Sequence, residues 1–159
     1  MGADVRLSDT TMISKQRLGL KAFLKTTDDV LILSCSGTGG MEAALVNVLS
    51  PGDTMLALVA GNFGERWSAL GRAHGMNVQE LRAAWGDAVP PADVERALAA
   101  NPAIRAVFVQ LSESSTGAAH DVEALARITR ARPETLLVVD AISGAGAMRL
   151  ETQAWGVDV

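Results

Sequence analysis

Two groups of residues in this 159-residue chain have the types and spacing to do chemistry. The first is Ser36-Gly37-Thr38-Gly39-Gly40, which follows an apolar run and opens a stretch rich in Ala, Leu and Met. Glycines allow close backbone approach, and the free N–H groups of a helix start carry positive potential, so this loop can cradle a phosphate. The second is Asp140, at the end of the run Leu136-Leu137-Val138-Val139. Ligands of open α/β sheets bind at the C-terminal ends of strands, and a carboxylate in apolar surroundings needs a cationic or hydrogen-bonding group opposite it. A pyridinium nitrogen would serve. Each feature also has a plainer reading: a Gly-rich connector for tight strand-to-helix packing, and an aspartate that caps the following turn.

Other phosphate-binding patterns fit poorly. Glu42 stands where G-x-G-x-x-G needs its third glycine, and the run Thr54 to Val59 leads into Ala60-Gly61-Asn62 without a ribose-binding acid. No lysine follows the glycines, as a Walker loop requires.

The elements that must position these residues show in the alternation of short apolar runs with stretches of helical spacing, which predicts a parallel α/β architecture. Asp29 to Ser34, Thr54 to Val59, Ile104 to Val109 and Thr135 to Val139 read as strands buried on both faces, with Asn77 to Leu81 a shorter one. Helices are expected over Gly40 to Leu49, stopped by Ser50-Pro51-Gly52-Asp53, and over Gly64 to His74, Pro91 to Ala100 and Asp121 to Ala131. Residues 1–27 form a polar opening segment with a short helix expected from Ile13 to Leu24, its lysines solvated. Trp67, Trp85 and Trp155 read as packing residues, and His74 and His120 as surface or capping residues.

Composition narrows the class. The chain is 48% hydrophobic and 20% charged, which suits one globular domain. Its lone cysteine, Cys35, has no partner within the chain, and such usage suits a reducing, cytoplasmic setting. A net charge of -4 with scattered Lys and Arg lacks the footprint of nucleic-acid binding. No apolar run approaches the ~20 residues that span a bilayer, and no signal-peptide pattern opens the chain. No metal-ligand pattern surrounds the histidines.

The stretches SGTGGMEAAL (36–45), SPGD (50–53), GNFGERW (61–67), SESSTG (112–117) and VVDAISGAGA (138–147) together resemble the class V aminotransferases. These are pyridoxal-phosphate enzymes of fold type I, and the likeness is to their alanine–glyoxylate and serine–pyruvate branch. The resemblance implies a three-layer α/β/α fold with a mostly parallel sheet, residues 28–159 forming part of the large, cofactor-binding domain. It implies that Ser36, Gly37 and Thr38 hold the cofactor phosphate and that Phe63 stacks on the pyridine ring. A cationic heterocycle over a π-face gains contact and electrostatic attraction. By the same resemblance Ser114 lies near the ring oxygen, on a turn set by Thr116 and Gly117. Asp140 would keep the ring nitrogen protonated, with Ile142 on the ring face opposite Phe63. Cysteine desulfurases usually carry histidine at the stacking position, so Phe63 points away from them.

The family's Schiff-base lysine, in a Ser-x-Lys-type motif, lies beyond a strand expected to begin near Gly156-Val157-Asp158-Val159. This chain has no lysine after Lys25, so no catalytic residue is assigned. The family's dimer-arm signature is not visible in Met1 to Lys25, and its C-terminal domain is absent from the sequence. The reading is therefore a partial cofactor domain, binding pyridoxal phosphate noncovalently at most and inactive in transamination alone. The intact family moves an amino group from alanine or serine to a 2-oxo acid such as glyoxylate or pyruvate. The alternative is a noncatalytic assembly module or half of a split enzyme, since an open sheet exposes edges that favour association with itself or a complementary chain.

Overall fold

The computed structural model describes residues 15–159. Ile13 and Ser14, where the first helix was expected to begin, lie outside the described residues, and 15–24 are helical (α1). Then follow α2 (Gly37–Val48), β1 (Thr54–Val59), α3 (Asn62–Ala73), β2 (Asn77–Arg82), α4 (Pro91–Ala100) and β3 (Ile104–Gln110). The chain continues through the short pair β4 (Ser112–Glu113) and β5 (Ala118–Ala119), then α5 (Val122–Arg130), β6 (Leu136–Asp140) and α6 (Thr152–Trp155). Local chemistry sets several boundaries. Ser36 caps α2 by accepting the Gly39 N–H, Asp121 caps α5 by accepting the Ala124 N–H, and Pro91 opens α4 where no N–H is needed.

Four strands form one parallel sheet in the order β2-β1-β3-β6. Period-two alternation splits their side chains between two cores. Leu56, Leu58, Val107, Val109 and Leu137 meet Val94 and Leu98 of α4 and Leu125 of α5 on one face. Met55, Ala57, Ala106, Phe108 and Val138 meet Met41 and Leu45 of α2 and Trp67 of α3 on the other. The result is the expected three-layer α/β/α arrangement. Trp67 is 1% exposed, and its ring stacks at a tilt on Phe108 with centroids 4.8 Å apart. Two glycines let α3 press onto the sheet: a Cβ on Gly64 would stand 2.7 Å from the Leu58 carbonyl oxygen, and one on Gly71 would strike the Met55 sulfur.

Three expectations need correction. Asp29 to Ser34 is not a strand: among the described residues no strand pairs with it, and Leu31, Ile32 and Leu33 are 76%, 48% and 53% exposed. Apolar composition favours an extended backbone, but a strand exists only when a neighbour takes its hydrogen bonds. His120 is not at the surface. It is 4% exposed, its Nδ1 bonding the Gln110 carbonyl at 2.8 Å, because β5 folds back beside the end of β3. Trp85 is 68% exposed, standing in the turn after β2 rather than packing. His74 does sit at the C-cap of α3, with its Nε2 2.8 Å from Glu42.

At the free edge of β6, the Asp158 N–H reaches the Leu137 carbonyl at 3.0 Å and the Val139 N–H reaches the Val159 carbonyl at 2.8 Å. These residues lie alongside β6 where the next strand was expected. Among the described residues, no helix is long and apolar enough to cross a membrane.

Candidate functional site

Beside the N-terminus of α2, at the C-terminal ends of β3 and β6, Gly37, Phe63, Ser114, Asp140 and Ile142 line one hollow. Five of the eight residues singled out in the sequence thus meet there. Ser36 and Thr38 flank Gly37 without lining it, and Thr116 is committed elsewhere, its hydroxyl donating to the Ala60 carbonyl at 2.9 Å.

The α2 end supplies the positive side. Ser36 is extended (φ -73°, ψ 166°), its Oγ accepts the Gly39 N–H at 3.2 Å, and no acidic residue occupies the first turn to offset the helix dipole. A Cβ on Gly37 would stand 2.6 Å from Ile142 Cδ1, so the glycine gives backbone access that any side chain would fill.

Phe63 is held by the first turn of α3. That turn docks on Glu113, whose carboxylate accepts the Phe63 N–H at 3.1 Å and the Gly64 N–H at 2.9 Å. Ser115 adds its Oγ–H to Glu113 at 2.7 Å, and its oxygen accepts the Asn62 N–H at 2.9 Å. Glu113 is fully buried. Burial pushes its carboxyl up, but the Ser115 hydroxyl and the amides of Gly64, Ser115 and Phe63 together outweigh that and hold it below the ordinary value. Arg66, one turn along α3, lies over the Phe63 ring at 4.8 Å and donates to Thr38 Oγ1 at 2.9 Å. No carboxylate pairs with Arg66 among the described residues, so its charge reinforces the positive side of the hollow.

At the sheet side, Asp140 Oδ1 accepts the Ile142 N–H at 3.0 Å, so the turn-capping reading of this aspartate holds. Its other oxygen has no hydrogen-bond partner among the described residues. Both readings of Asp140 are thus compatible. The Ser114 and Ser143 hydroxyls bond each other at the rim, and Ile142 is 70% exposed over Gly37.

Sequence reasoning missed Arg66, Glu113, Ser143 and Gln110. Arg66 lies three residues from Phe63 and shares its helix face, a spacing that marks it. Glu113 and Ser143 lie inside quoted motifs, and Gln110 is the buried polar side chain at the end of a strand whose other polar residue, Arg105, is exposed.

Residues 4–159 match the family described as aminotransferase class-V. The chain belongs to that family. It is 39% identical over 152 residues to a protein of Anabaena cylindrica called the soluble hydrogenase 42 kDa subunit, covering 94% of this chain and 40% of that one. It is also 39% identical over 145 residues to the L-aspartate–glyoxylate aminotransferase of Paracoccus denitrificans, covering 89% and 37%. The crystal structure of an alanine–glyoxylate aminotransferase from Nostoc sp. superposes with a TM-score of 0.84 at 30% identity, over 89% of this chain and 37% of that one. The chain spans about 40% or less of the length of these relatives. Its sheet and helices match part of the fold-type-I domain, and dependence on pyridoxal phosphate is a feature of the family.

Proposed function

We propose that residues 28–159 are the cofactor-holding portion of an aminotransferase and that pyridoxal 5′-phosphate is held in the hollow, noncovalently in this chain. The observation that carries this is the convergence of Phe63, Asp140 and Ile142 with Gly37 on one hollow at the ends of β3 and β6. The residues fit the group. The bare backbone at Gly37 and the free amides of α2 suit a phosphate, Phe63 offers an aromatic face, and Asp140 keeps one oxygen for a ring N–H.

When bound, pyridoxal phosphate supplies an electron-poor ring that stabilises negative charge on a substrate carbon. Asp140 holds the proton on the ring nitrogen, Phe63 and Ile142 fix the ring plane, and Arg66 with the α2 amides balances the phosphate charge. Amino donors such as alanine or serine, and acceptors such as glyoxylate or pyruvate, are the substrates of the whole enzyme in this reading. The glyoxylate named for two relatives supports that class.

Among the described residues, no lysine lines the hollow. Lys21 pairs with Asp29 at 2.9 Å and Lys25 with Glu151 at 2.6 Å, both before the site in sequence and engaged at the surface. None of the three lysines, Lys15, Lys21 and Lys25, thus offers an amine in the hollow to move a proton at the substrate carbon, and transamination by this chain alone is expected to be negligible. The test is titration of the purified chain with pyridoxal phosphate, followed by visible absorbance, then borohydride reduction and an assay with alanine plus glyoxylate. Saturable binding with no covalent adduct at the hollow and no pyruvate is expected. Absence of saturable binding, or robust pyruvate formation, overturns the reading.

A second reading, a noncatalytic module that associates with another copy or a complementary chain, is favoured by the exposure of Leu31, Ile32 and Leu33 on a segment that pairs with no strand among the described residues.

A further inference from the structure

Gln110 is 1% exposed, lines the hollow, and has no hydrogen-bond partner among the described residues for either its Oε1 or its Nε2. Buried side-chain amides are nearly always satisfied, and one orphaned at both ends is destabilising unless something else engages it. Leucine or methionine would fill the same space without that cost. The backbone here is firmly placed: the Gln110 carbonyl bonds His120 Nδ1 at 2.8 Å, and the Leu111 N–H donates to the Asp140 carbonyl at 2.8 Å.

Gln110 and Asp140 are direct partners in the parallel ladder between β3 and β6. Both follow the parity of Phe108 and Val138, so their side chains stand next to each other on the α2/α3 face, about 4.8 Å apart at the backbone. The Gln110 Oε1 lies 3.4 Å from the point a Cβ on Gly64 would take, and the Gly64 N–H is already given to Glu113. That leaves the amide's N–H₂ end without a task and Asp140 with one carboxylate oxygen unpartnered.

We propose that Gln110 is a positioning residue for Asp140: its Nε2–H donates to the Asp140 carboxylate and turns it toward a ring N–H in the hollow. This rests on the cofactor reading given above. Ile142 N–H and Gln110 then hold the carboxylate from two sides, fixing its plane. The Gln110 amide, which has no protein partner among the described residues, thereby gains a task at the carboxylate that faces the ring.

The test is a double-mutant cycle read by pyridoxal phosphate titration and by thermal unfolding without cofactor, using wild type, Q110L, D140A and D140A/Q110L. Q110L is expected to raise the melting temperature of the cofactor-free chain and to weaken cofactor affinity about tenfold. In the D140A background the same substitution is expected to leave affinity unchanged, an outcome that simple loss of packing would not give. Gln110→Met replaces Q110L if the leucine variant does not fold. Wild-type affinity in folded Q110L, alongside weakened D140A, overturns the positioning role and leaves the cofactor reading intact. Unweakened D140A overturns both.

Discussion

The Glu113 carboxylate accepts the Gly64 N–H at 2.9 Å across 49 residues of chain, and the same group takes the Phe63 N–H. An acid from the β4 hairpin therefore fixes the helix turn that aims Phe63 into the hollow. The first N–H groups of any helix lack internal partners, and a buried carboxylate there satisfies them and complements the dipole.

Glu113→Ala strands these amides in a dry site, where each unsatisfied donor is costly. A loss of about 1–3 kcal/mol in urea-unfolding stability is expected, with weaker cofactor binding as Phe63 loosens. Glu113→Gln keeps an acceptor and is expected to lose less. Equal stability of all three proteins would show that the helix start is held by something else.

Acid sensitivity follows from two depressed carboxyls. Glu113 sits below its ordinary 4.5, and Glu80 is held at about 2, where hydrogen bonds from Arg72 and Arg82 outweigh the upward push of burial. A carboxyl depressed by folding contributes stability that is fully present above its unfolded value and lost as pH falls through the folded one. The melting temperature should therefore fall progressively from about pH 4.5 downward, and E113Q should flatten part of that slope. Arg72 and Arg82 are more than half exposed, so screening by water and salt keeps the Glu80 share small. A melting temperature flat between pH 5 and 3 in the wild type would contradict the assignment.

Gly64→Ala is expected to be the most damaging of the small substitutions at the site. The new methyl would meet the Leu58 oxygen at 2.7 Å and the Val59 Cα at 2.8 Å, both backbone atoms of a central strand that cannot step aside. Overpacking of this kind costs about 1–3 kcal/mol, read by urea unfolding. At Gly37 the colliding atom is instead the mobile end of Ile142, so G37A should leave stability near wild type while weakening cofactor binding. Similar unfolding midpoints for the two variants would refute this contrast.

The alternation of strands and capped helices was legible because the runs of β1, β3 and β6 are mostly apolar on both faces and the stops carry a proline, glycine or capping acid; β2, with Asn77, Gln79, Glu80 and Arg82, showed more weakly. The meeting of Gly37, Phe63, Asp140 and Ile142 at one hollow was foreshadowed by linked motifs. Gln110 and Glu113 were not, because their roles depend on partners 30 and 49 residues away in the chain, whose adjacency only the ladder and the α3 docking create. His120 reads as a capping residue beside Asp121, yet the β5 return buries it. The run Asp29 to Ser34 has strand composition, and composition does not say which edge is available to receive it.

That run carries the last prediction. Leu31 and Leu33 are 76% and 53% exposed, so their side chains are already in water and add little to the fold. Neither is part of either core. Replacing both with threonine keeps strand propensity while removing much of the apolar surface that a second copy of the chain would cover. The double variant should keep its unfolding midpoint, with a change within about 0.5 kcal/mol, because surface substitutions away from packed contacts rarely cost more. Sedimentation velocity across a concentration series should show wild type associating and the variant shifted toward monomer. An unchanged concentration dependence would place the associating surface elsewhere. A large loss of stability would instead show that the run contributes to the fold.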